Sequence, residues 1–193
     1  PNVDGGSHLF AHDADLAAPF SAADLSGKAA NRAEICAEFG LDVPGPLAIL
    51  VSRLTDQKGI DLLAGTIPDF IAGGGGLLVL GSGDPSLEAA MRGLAARFPG
   101  RVAVRIGYDE GLSHRMFAGG DAVLVPSRFE PCGLTQMYGL KYGSLPLVRR
   151  VGGLADTVAD STPDSIRRNE ATGFLFGPAT PDALAQAMHQ AIR

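Results

Sequence analysis

Tryptophan is absent from this 193-residue chain, and cysteine occurs only twice. Cys36 and Cys132 can form at most one disulfide, which excludes the small disulfide-rich scaffolds of secreted proteins. The sequence contains no run of 18 apolar residues, and no leader-like segment of basic, apolar and small residues. Together these absences predict a protein of the reducing cytosol.

Positive charge is also scarce. The chain has 16 Lys and Arg against 21 Asp and Glu, which gives a formal net charge of −5 at pH 7. Proteins that bind nucleic acid without sequence preference, or that bind anionic membrane surfaces, need a basic face. We therefore expect no nucleic acid and no membrane among the partners, although a local basic cluster can still bind phosphate.

What the chain does contain is the composition of one globular domain, 46% hydrophobic and 19% charged. Residues 1–27 are rich in Asp, Ser, Gly and Ala without a sustained period, and we interpret them as a lead-in or linker. The domain itself is expected at residues 28–193. His8 and His12 have the spacing of two metal ligands on one helix face, but the nearby glycines disfavour a helix, so we expect two solvated histidines.

Short apolar runs alternate with amphipathic segments along residues 28–193. Glycine and proline separate them, as turn residues do. The runs predict strands at residues 47–52, 77–80, 102–106, 123–125, 145–148 and 173–176, and the segments predict helices at residues 28–39, 60–72, 85–98, 110–117 and 181–192. Strands that alternate with helices form a parallel sheet with right-handed crossovers. The predicted fold class is therefore α/β, a Rossmann-like doubly wound parallel sheet.

The stretch 123–158 is the one around which the rest is organised. An apolar strand ends at Pro126, a polar turn with a second proline follows, and a helical pattern begins near Gly133. In a parallel α/β sheet this order places the turn at the carboxyl edge, where ligands bind. The free N–H groups at the start of the helix would point at the ligand, and an anion suits them best.

Arg53 and Lys58 follow the first predicted strand, and lysine is rare in this chain. If their loop folds over the sheet edge, both cations face the same crevice, where a planar fork and a point charge suit two neighbouring phosphates. The alternative is a solvated loop with two ordinary charges. Arg149 and Arg150 end a later strand, and at most one of them is expected to reach the crevice because neighbours in an extended segment point to opposite sides.

Gly81 and Gly83 form half of a dinucleotide fingerprint, but Ser86 stands where its third glycine belongs, so a glycine turn that allows close backbone approach is the better interpretation. Tyr108 follows the third predicted strand. Its ring could stack on a nucleobase at the sheet edge, or it could be a half-buried aromatic cap, and the sequence leaves both open.

Glu130 lies in the most constrained turn of the chain, between Phe129 and Pro131. Its carboxylate could face positive charge developing at a sugar carbon or bind sugar hydroxyls, or it could simply complement the dipole of the following helix. Residues Gly133, Leu134 and Thr135 then offer backbone N–H groups to a phosphate, and glycine at 133 allows a close approach.

Three segments, VSRLTDQKGIDLL, IGYDEGLSHRMFAGGDAVLVPSRFEPCGLTQMYGLKYGSLPLVRRVGGLADTV and TGFLF, resemble the bacterial glycogen synthases and the plastid starch synthases. The resemblance covers roughly residues 28–193. It implies a glycosyltransferase of the GT-B architecture, in which two Rossmann-like halves face a deep cleft. The present chain resembles the C-terminal half, which binds the donor nucleotide.

The resemblance also implies roles for the residues singled out above. Arg53 and Lys58 would hold the diphosphate of ADP-glucose, with Glu130 beside the donor sugar. Tyr108 would stack on adenine, while Gly133, Leu134 and Thr135 would line the distal phosphate and the glucose. Family members transfer glucose with retention to the non-reducing end of an α-1,4-glucan and need no metal or other cofactor.

Two departures from the family pattern affect this interpretation. Related retaining transferases often have a second Glu eight residues after the first, and here that position is Tyr138. The N-terminal half of the family is missing, so we expect an excised domain that is largely inactive without it. Half of a sugar-nucleotide epimerase and a non-catalytic glucan-binding module remain as alternatives, although epimerase acid/base residues are not evident and aromatics are only 6% of the chain.

Overall fold

The computed structural model describes residues 13–192, so His8 and His12 lie outside the described residues. Its centre is a six-stranded parallel sheet with the strand order β3-β2-β1-β4-β5-β6. The strands are β1 (Leu47–Val51), β2 (Gly76–Gly81), β3 (Val102–Ile106), β4 (Ala122–Val125), β5 (Leu145–Arg149) and β6 (Phe174–Phe176). This is the doubly wound order, and the predicted fold class is confirmed.

Helices cover both faces of the sheet. They are α1 (Ser26–Glu38), α2 (Leu63–Ala72), α3 (Pro85–Arg97), α4 (Glu110–Gly119), α5 (Thr135–Lys141), α6 (Gly152–Thr157), α7 (Pro163–Arg167) and α8 (Pro181–Ile192). Two 3-10 turns, Asp56–Lys58 and Ile60–Leu62, precede α2, where one continuous helix from residue 60 was predicted. The short helices α6 and α7 were not predicted.

The sheet is buried between two apolar layers, which explains why its strands are continuous apolar runs. Along β1, Ala48 and Leu50 face the layer formed with α2, α3 and α8. Leu47 and Ile49 face the opposite layer, formed with α1 and α4. Because successive side chains of a strand point to opposite faces, each strand contributes to both layers.

The segment before α1 packs on the domain through polar contacts. Tyr142 donates a hydrogen bond from its hydroxyl to Asp13 over 2.6 Å, and His114 Nδ1 lies 3.1 Å from the same carboxylate. Asn31 of α1 donates to the carbonyl oxygen of Ala18 over 2.7 Å. The division at residue 27 between lead-in and domain stays a prediction. Within residues 13–192, no helix has the length and apolar character that crossing a membrane requires.

Candidate active site

The candidate site lies at the carboxyl edge of the sheet, where β1 and β4 are neighbours. The chain leaves β1 toward β2 on one side and leaves β4 toward β5 on the other side. Ligands of doubly wound sheets bind in the crevice that this reversal of direction creates. The loop after β1 carries Arg53 and Lys58, and the turn after β4 carries Glu130, so both predicted regions meet at this crevice.

Close backbone contact fixes the β1 loop against the β4 turn. Gly59 has a φ of 69°, and a Cβ there would lie 2.2 Å from the carbonyl oxygen of Pro126. Glycine is therefore required for both the conformation and the approach. The N–H of Arg128 donates to the carbonyl oxygen of Gln57 over 2.8 Å, and the side chain of Gln57 donates to the carbonyl oxygen of Phe129 over 3.2 Å.

Lys58 and Glu130 form an ion pair across this contact. The Lys58 side chain is 20% exposed and that of Glu130 is 11% exposed, so both charges are largely withdrawn from water. The hydroxyl of Ser127 donates a second hydrogen bond to Oε2 of Glu130 over 3.1 Å. The carboxylate of Glu130 is the acceptor of both hydrogen bonds in this turn.

The far side of the turn is held by two glycines that the sequence analysis did not assign. A Cβ on Gly152 would lie 2.2 Å from the carbonyl oxygen of Glu130, and one on Gly153 would lie 2.2 Å from that of Cys132. The N–H of Gly153 donates to the carbonyl oxygen of Glu130 over 3.2 Å. Adjacent glycines directly after a strand were the signal that could have identified this support.

The two arginines that end β5 have structural partners. Arg149 donates from Nη1 to the carbonyl oxygen of Arg128 over 2.5 Å and to that of Ser127 over 3.3 Å. Arg150 pairs with Asp160 over 2.8 Å. Arg149 therefore binds the backbone of the Glu130 turn, whereas Arg150 binds a different region of the chain.

The start of α5 completes the edge. Gly133 has a φ of 70°, and the buried amide of Gln136 donates to its carbonyl oxygen over 3.0 Å and to Thr157 Oγ1 over 3.1 Å. Within residues 13–192, no acceptor receives a hydrogen bond from the N–H of Gly133, Leu134 or Thr135. Thr135 lines the same narrow cavity as Lys58 and Ser127. The predicted cations and the predicted helix start thus lie on the same side of the molecule.

A wider cleft of about 300 Å³ continues from this point toward β2 and β3. Arg53 and Tyr108 line it, and Tyr108 is 86% exposed. The interpretation of Tyr108 as a half-buried cap is therefore wrong. A neighbouring cavity of about 190 Å³ links Tyr108 to Thr135, and Val51 lines all three spaces. Arg53 and Lys58 accordingly line separate spaces that have Val51 in common.

The two glycines after β2 serve the chain itself. A Cβ on Gly81 would lie 1.9 Å from the carbonyl oxygen of Ser52, and one on Gly83 would lie 2.3 Å from that of Leu54. Leu54 donates its N–H to the carbonyl oxygen of Ser82 over 3.0 Å. The close backbone approach predicted for this turn is therefore made by the β1 loop, which it holds over the sheet edge.

Fold and site together define a Rossmann-like α/β domain with a cleft at the carboxyl edge of its sheet, lined by both cationic and anionic side chains. The family described as "Glycosyl transferases group 1" matches residues 45–193, and the chain belongs to this family. The predicted resemblance to glycogen and starch synthases is confirmed by the relatives that follow.

The glycogen synthase of Cereibacter sphaeroides is 65% identical over 174 residues, which are 90% of this chain and 36% of that protein. The glycogen synthase of Haemophilus influenzae is 56% identical over 169 residues, which are 86% of this chain and 36% of that protein. The solved catalytic domain of starch synthase IV from Arabidopsis thaliana, bound to ADP and acarbose, superposes with a TM-score of 0.88 at 36% identity and covers 95% of this chain and 38% of that one. The chain thus spans about a third of the length of the curated relatives it matches.

Proposed function

We propose that this chain is the donor-binding domain of a glycogen synthase, which transfers glucose from ADP-glucose with retention to the non-reducing end of an α-1,4-glucan. The observation that carries the proposal is the Lys58–Glu130 pair, which lies beside Thr135 at one end of a cleft that reaches Tyr108. Relatives named glycogen synthase and a starch synthase solved with ADP and acarbose support the choice of donor and acceptor.

The diphosphate is the leaving group of this reaction. When the bond between the sugar carbon and the phosphate oxygen breaks, negative charge builds on the diphosphate, and Lys58 and Arg53 stabilise it. The N–H groups of Gly133, Leu134 and Thr135 add fixed donors. Groups that meet the developing charge more strongly than they meet the ground state accelerate the reaction.

Glu130 serves the sugar rather than the diphosphate. Its carboxylate accepts hydrogen bonds from Lys58 and Ser127, and these fix its orientation in the turn. As a fixed negative charge it binds sugar hydroxyls and stabilises positive charge at the sugar carbon. Lys58 then lies between the carboxylate and the diphosphate and neutralises both.

Tyr108 contributes the surface for the base. Its ring is highly exposed on the wall of the wider cleft, beside the loop that carries Arg53. An exposed ring next to a cationic loop can stack on adenine while the phosphates extend toward Lys58. Adenine is preferred here because of the relatives, since stacking alone accepts every base.

The remaining parts of the proposal concern the protein beyond this chain. One half of a cleft cannot exclude water or hold the acceptor, so the chain by itself binds ADP or ADP-glucose weakly and transfers little glucose. The N-terminal half of the same enzyme is its partner, no metal is needed, and the cytoplasm is its location.

The test is an assay of the complete protein with ADP-glucose and a maltooligosaccharide primer. The primer is expected to lengthen through new α-linkages, with UDP-glucose as the comparison donor and the chain alone as the fragment control. Isomerisation of the free sugar nucleotide would indicate an epimerase instead. Calorimetry that detects the oligosaccharide but no nucleotide would indicate a glucan-binding module.

A further inference from the structure

Arg128 and Asp61 form a two-pronged ion pair beside the candidate site. The guanidinium donates from Nη1 to Asp61 Oδ1 over 2.6 Å and from Nη2 to Oδ2 over 2.7 Å. Nη1 also donates to the carbonyl oxygen of Asp56 over 2.8 Å. This planar fork fixes the orientation of both side chains, which a single contact between point charges does not.

The fork lies close in sequence to both members of the Lys58–Glu130 pair. Asp61 lies three residues after Lys58 on the β1 loop, and Arg128 lies two residues before Glu130 on the β4 turn. The fork therefore joins the same two segments as the Lys58–Glu130 pair. Any shift of one segment against the other moves the ammonium of Lys58 relative to the carboxylate of Glu130.

A second Arg–Asp pair, at the surface of one helix, serves as a comparison for the fork. Arg167 and Asp164 pair within the single short helix α7, with side chains 70% and 66% exposed. Such exposed pairs contribute about 0–1 kcal/mol and hold no separate segments together. The Arg128 and Asp61 side chains are less exposed, at 31% and 41%, and they connect parts of the chain 67 residues apart.

We propose that Arg128 and Asp61 are positioning residues that set the distance between Lys58 and Glu130. This inference rests on the proposed function for its catalytic consequence, but its structural consequence is independent of any substrate. The backbone contacts at Gly59 and Gln57 keep the β1 loop packed on the β4 turn without the fork. Smaller shifts between the two segments then become possible, and the ammonium of Lys58 loses its contact with the carboxylate of Glu130 for part of the time.

The first experiment measures the reactivity of Lys58 in the complete protein without ligand. An amine-acylating reagent is applied, and the labelling rate at Lys58 is read by mass spectrometry relative to Lys141. In Asp61→Asn and Arg128→Lys the rate is expected to rise about threefold or more, because loss of the charge-assisted hydrogen bond to Glu130 leaves the amine more accessible to the reagent. Asp164→Asn is the matched control and leaves the rate unchanged.

The second experiment measures glucosyl transfer by the same variants. Asp61→Asn is expected to lower kcat by about tenfold to a hundredfold, with KM for the donor changed less than threefold, because a small misplacement of a reacting group is costly. Asp61→Glu, which keeps the charge, should restore part of kcat. Circular dichroism confirms that each variant is folded.

The outcomes separate the two proposals. If Lys58 labelling and kcat in both fork variants match those of Asp164→Asn, the positioning role is refuted even where thermal stability falls. If the complete wild-type protein transfers no glucose from any donor, the proposed function fails. The difference in Lys58 labelling between the wild type and the fork variants still decides the role of the fork.

Discussion

Lys28 and Lys58 are two largely buried cations at opposite ends of the sheet, and their surroundings differ. At the amino end, Lys28 donates to the carbonyl oxygens of Ala118, Gly120 and Tyr142 over 3.0, 2.8 and 3.1 Å. All three donors of its ammonium group are thus satisfied by the backbone. At the carboxyl end, Lys58 has the carboxylate of Glu130 on one side and a cavity on the other.

The neighbours of each cation repeat the contrast. Beside Lys28, Arg32 pairs with Asp121 and donates to the carbonyl oxygen of Gly45 over 2.6 Å, while Asp121 accepts the N–H of Leu47 over 2.7 Å. Beside Lys58 lie Ser127 and Thr135, and the N–H of Thr135 meets no acceptor within residues 13–192. The amino end is saturated and holds the strands together, whereas the carboxyl end keeps polar groups available for a ligand.

The largest expected effect is a loss of turnover on substitution of Lys58, which a substitution of Lys28 should not cause. In the complete protein, Lys58→Gln should lower glucosyl turnover by about 10²–10³-fold, the usual cost of removing one donor that stabilises developing charge. Steady-state kinetics with ADP-glucose measures it. The matched variant Lys28→Met should keep turnover within about twofold well below its unfolding temperature, and equal losses in both variants would remove the distinction between the two ends.

For the free energy of unfolding, the larger loss is expected at Lys28. Lys28→Met removes one donor from each of three carbonyl oxygens, of which that of Gly120 still accepts from the hydroxyl of Ser144 over 2.6 Å. The free energy of unfolding should fall by about 2–3 kcal/mol. Burial lowers the pKa of Lys28 to about 8, so the partners of the ammonium group offset only part of the cost of withdrawing its charge from water. Urea titration followed by circular dichroism gives the change, and an unaltered midpoint would show that the carbonyl contacts add nothing.

A third prediction compares two tyrosines. Tyr108→Ala should weaken ADP binding by about 1–2 kcal/mol, the range of a base stacked on an aromatic ring, while thermal stability stays constant because the ring is 86% exposed. Tyr108→Phe should retain affinity. Tyr142, which is 3% exposed at the amino end, should behave in the opposite way when replaced by Ala. Calorimetry and thermal melting together distinguish the two patterns.

The smallest effect concerns the pH dependence of the fork. The hydrogen bonds from Arg128 hold the pKa of Asp61 below its usual value. A carboxyl group with a depressed folded pKa adds stability above its unfolded pKa, and this stability is lost as the pH falls through the folded pKa. The difference in unfolding free energy between wild type and Asp61→Asn should therefore be about 0.5–1 kcal/mol at pH 7 and shrink below about pH 4. A difference that stays constant with pH would contradict the role of charge.

The strands were predictable because each is a short, largely apolar run between turn residues, and β3 was predicted residue for residue at Val102–Ile106 although it is only partly buried. Helix α6 was not, because its six residues begin with two glycines whose purpose is close contact with the Glu130 turn. A pattern along the chain does not reveal such a tertiary requirement.

The location of the site was predictable from the sequence, but its ion pairs and hydrogen bonds were not. The alternation of strands and helices implied a parallel sheet, and Arg53, Lys58 and Glu130 follow strands whose carboxyl ends share one edge. That Lys58 pairs with a carboxylate 72 residues away depends on how two loops pack, and no local spacing encodes it. The same holds for Ser127 and Gln136, ordinary polar residues that become informative only once their partners are known.

Calorimetric titration of ADP and AMP into the complete protein and into its Lys58→Gln variant tests the central claim most directly, because the two ligands differ by one phosphate. Convergence of Lys58 and the α5 start on a diphosphate predicts that the wild type binds ADP about tenfold or more tightly than AMP, and that the variant loses most of this preference. An ADP preference of the same size in both proteins would contradict it.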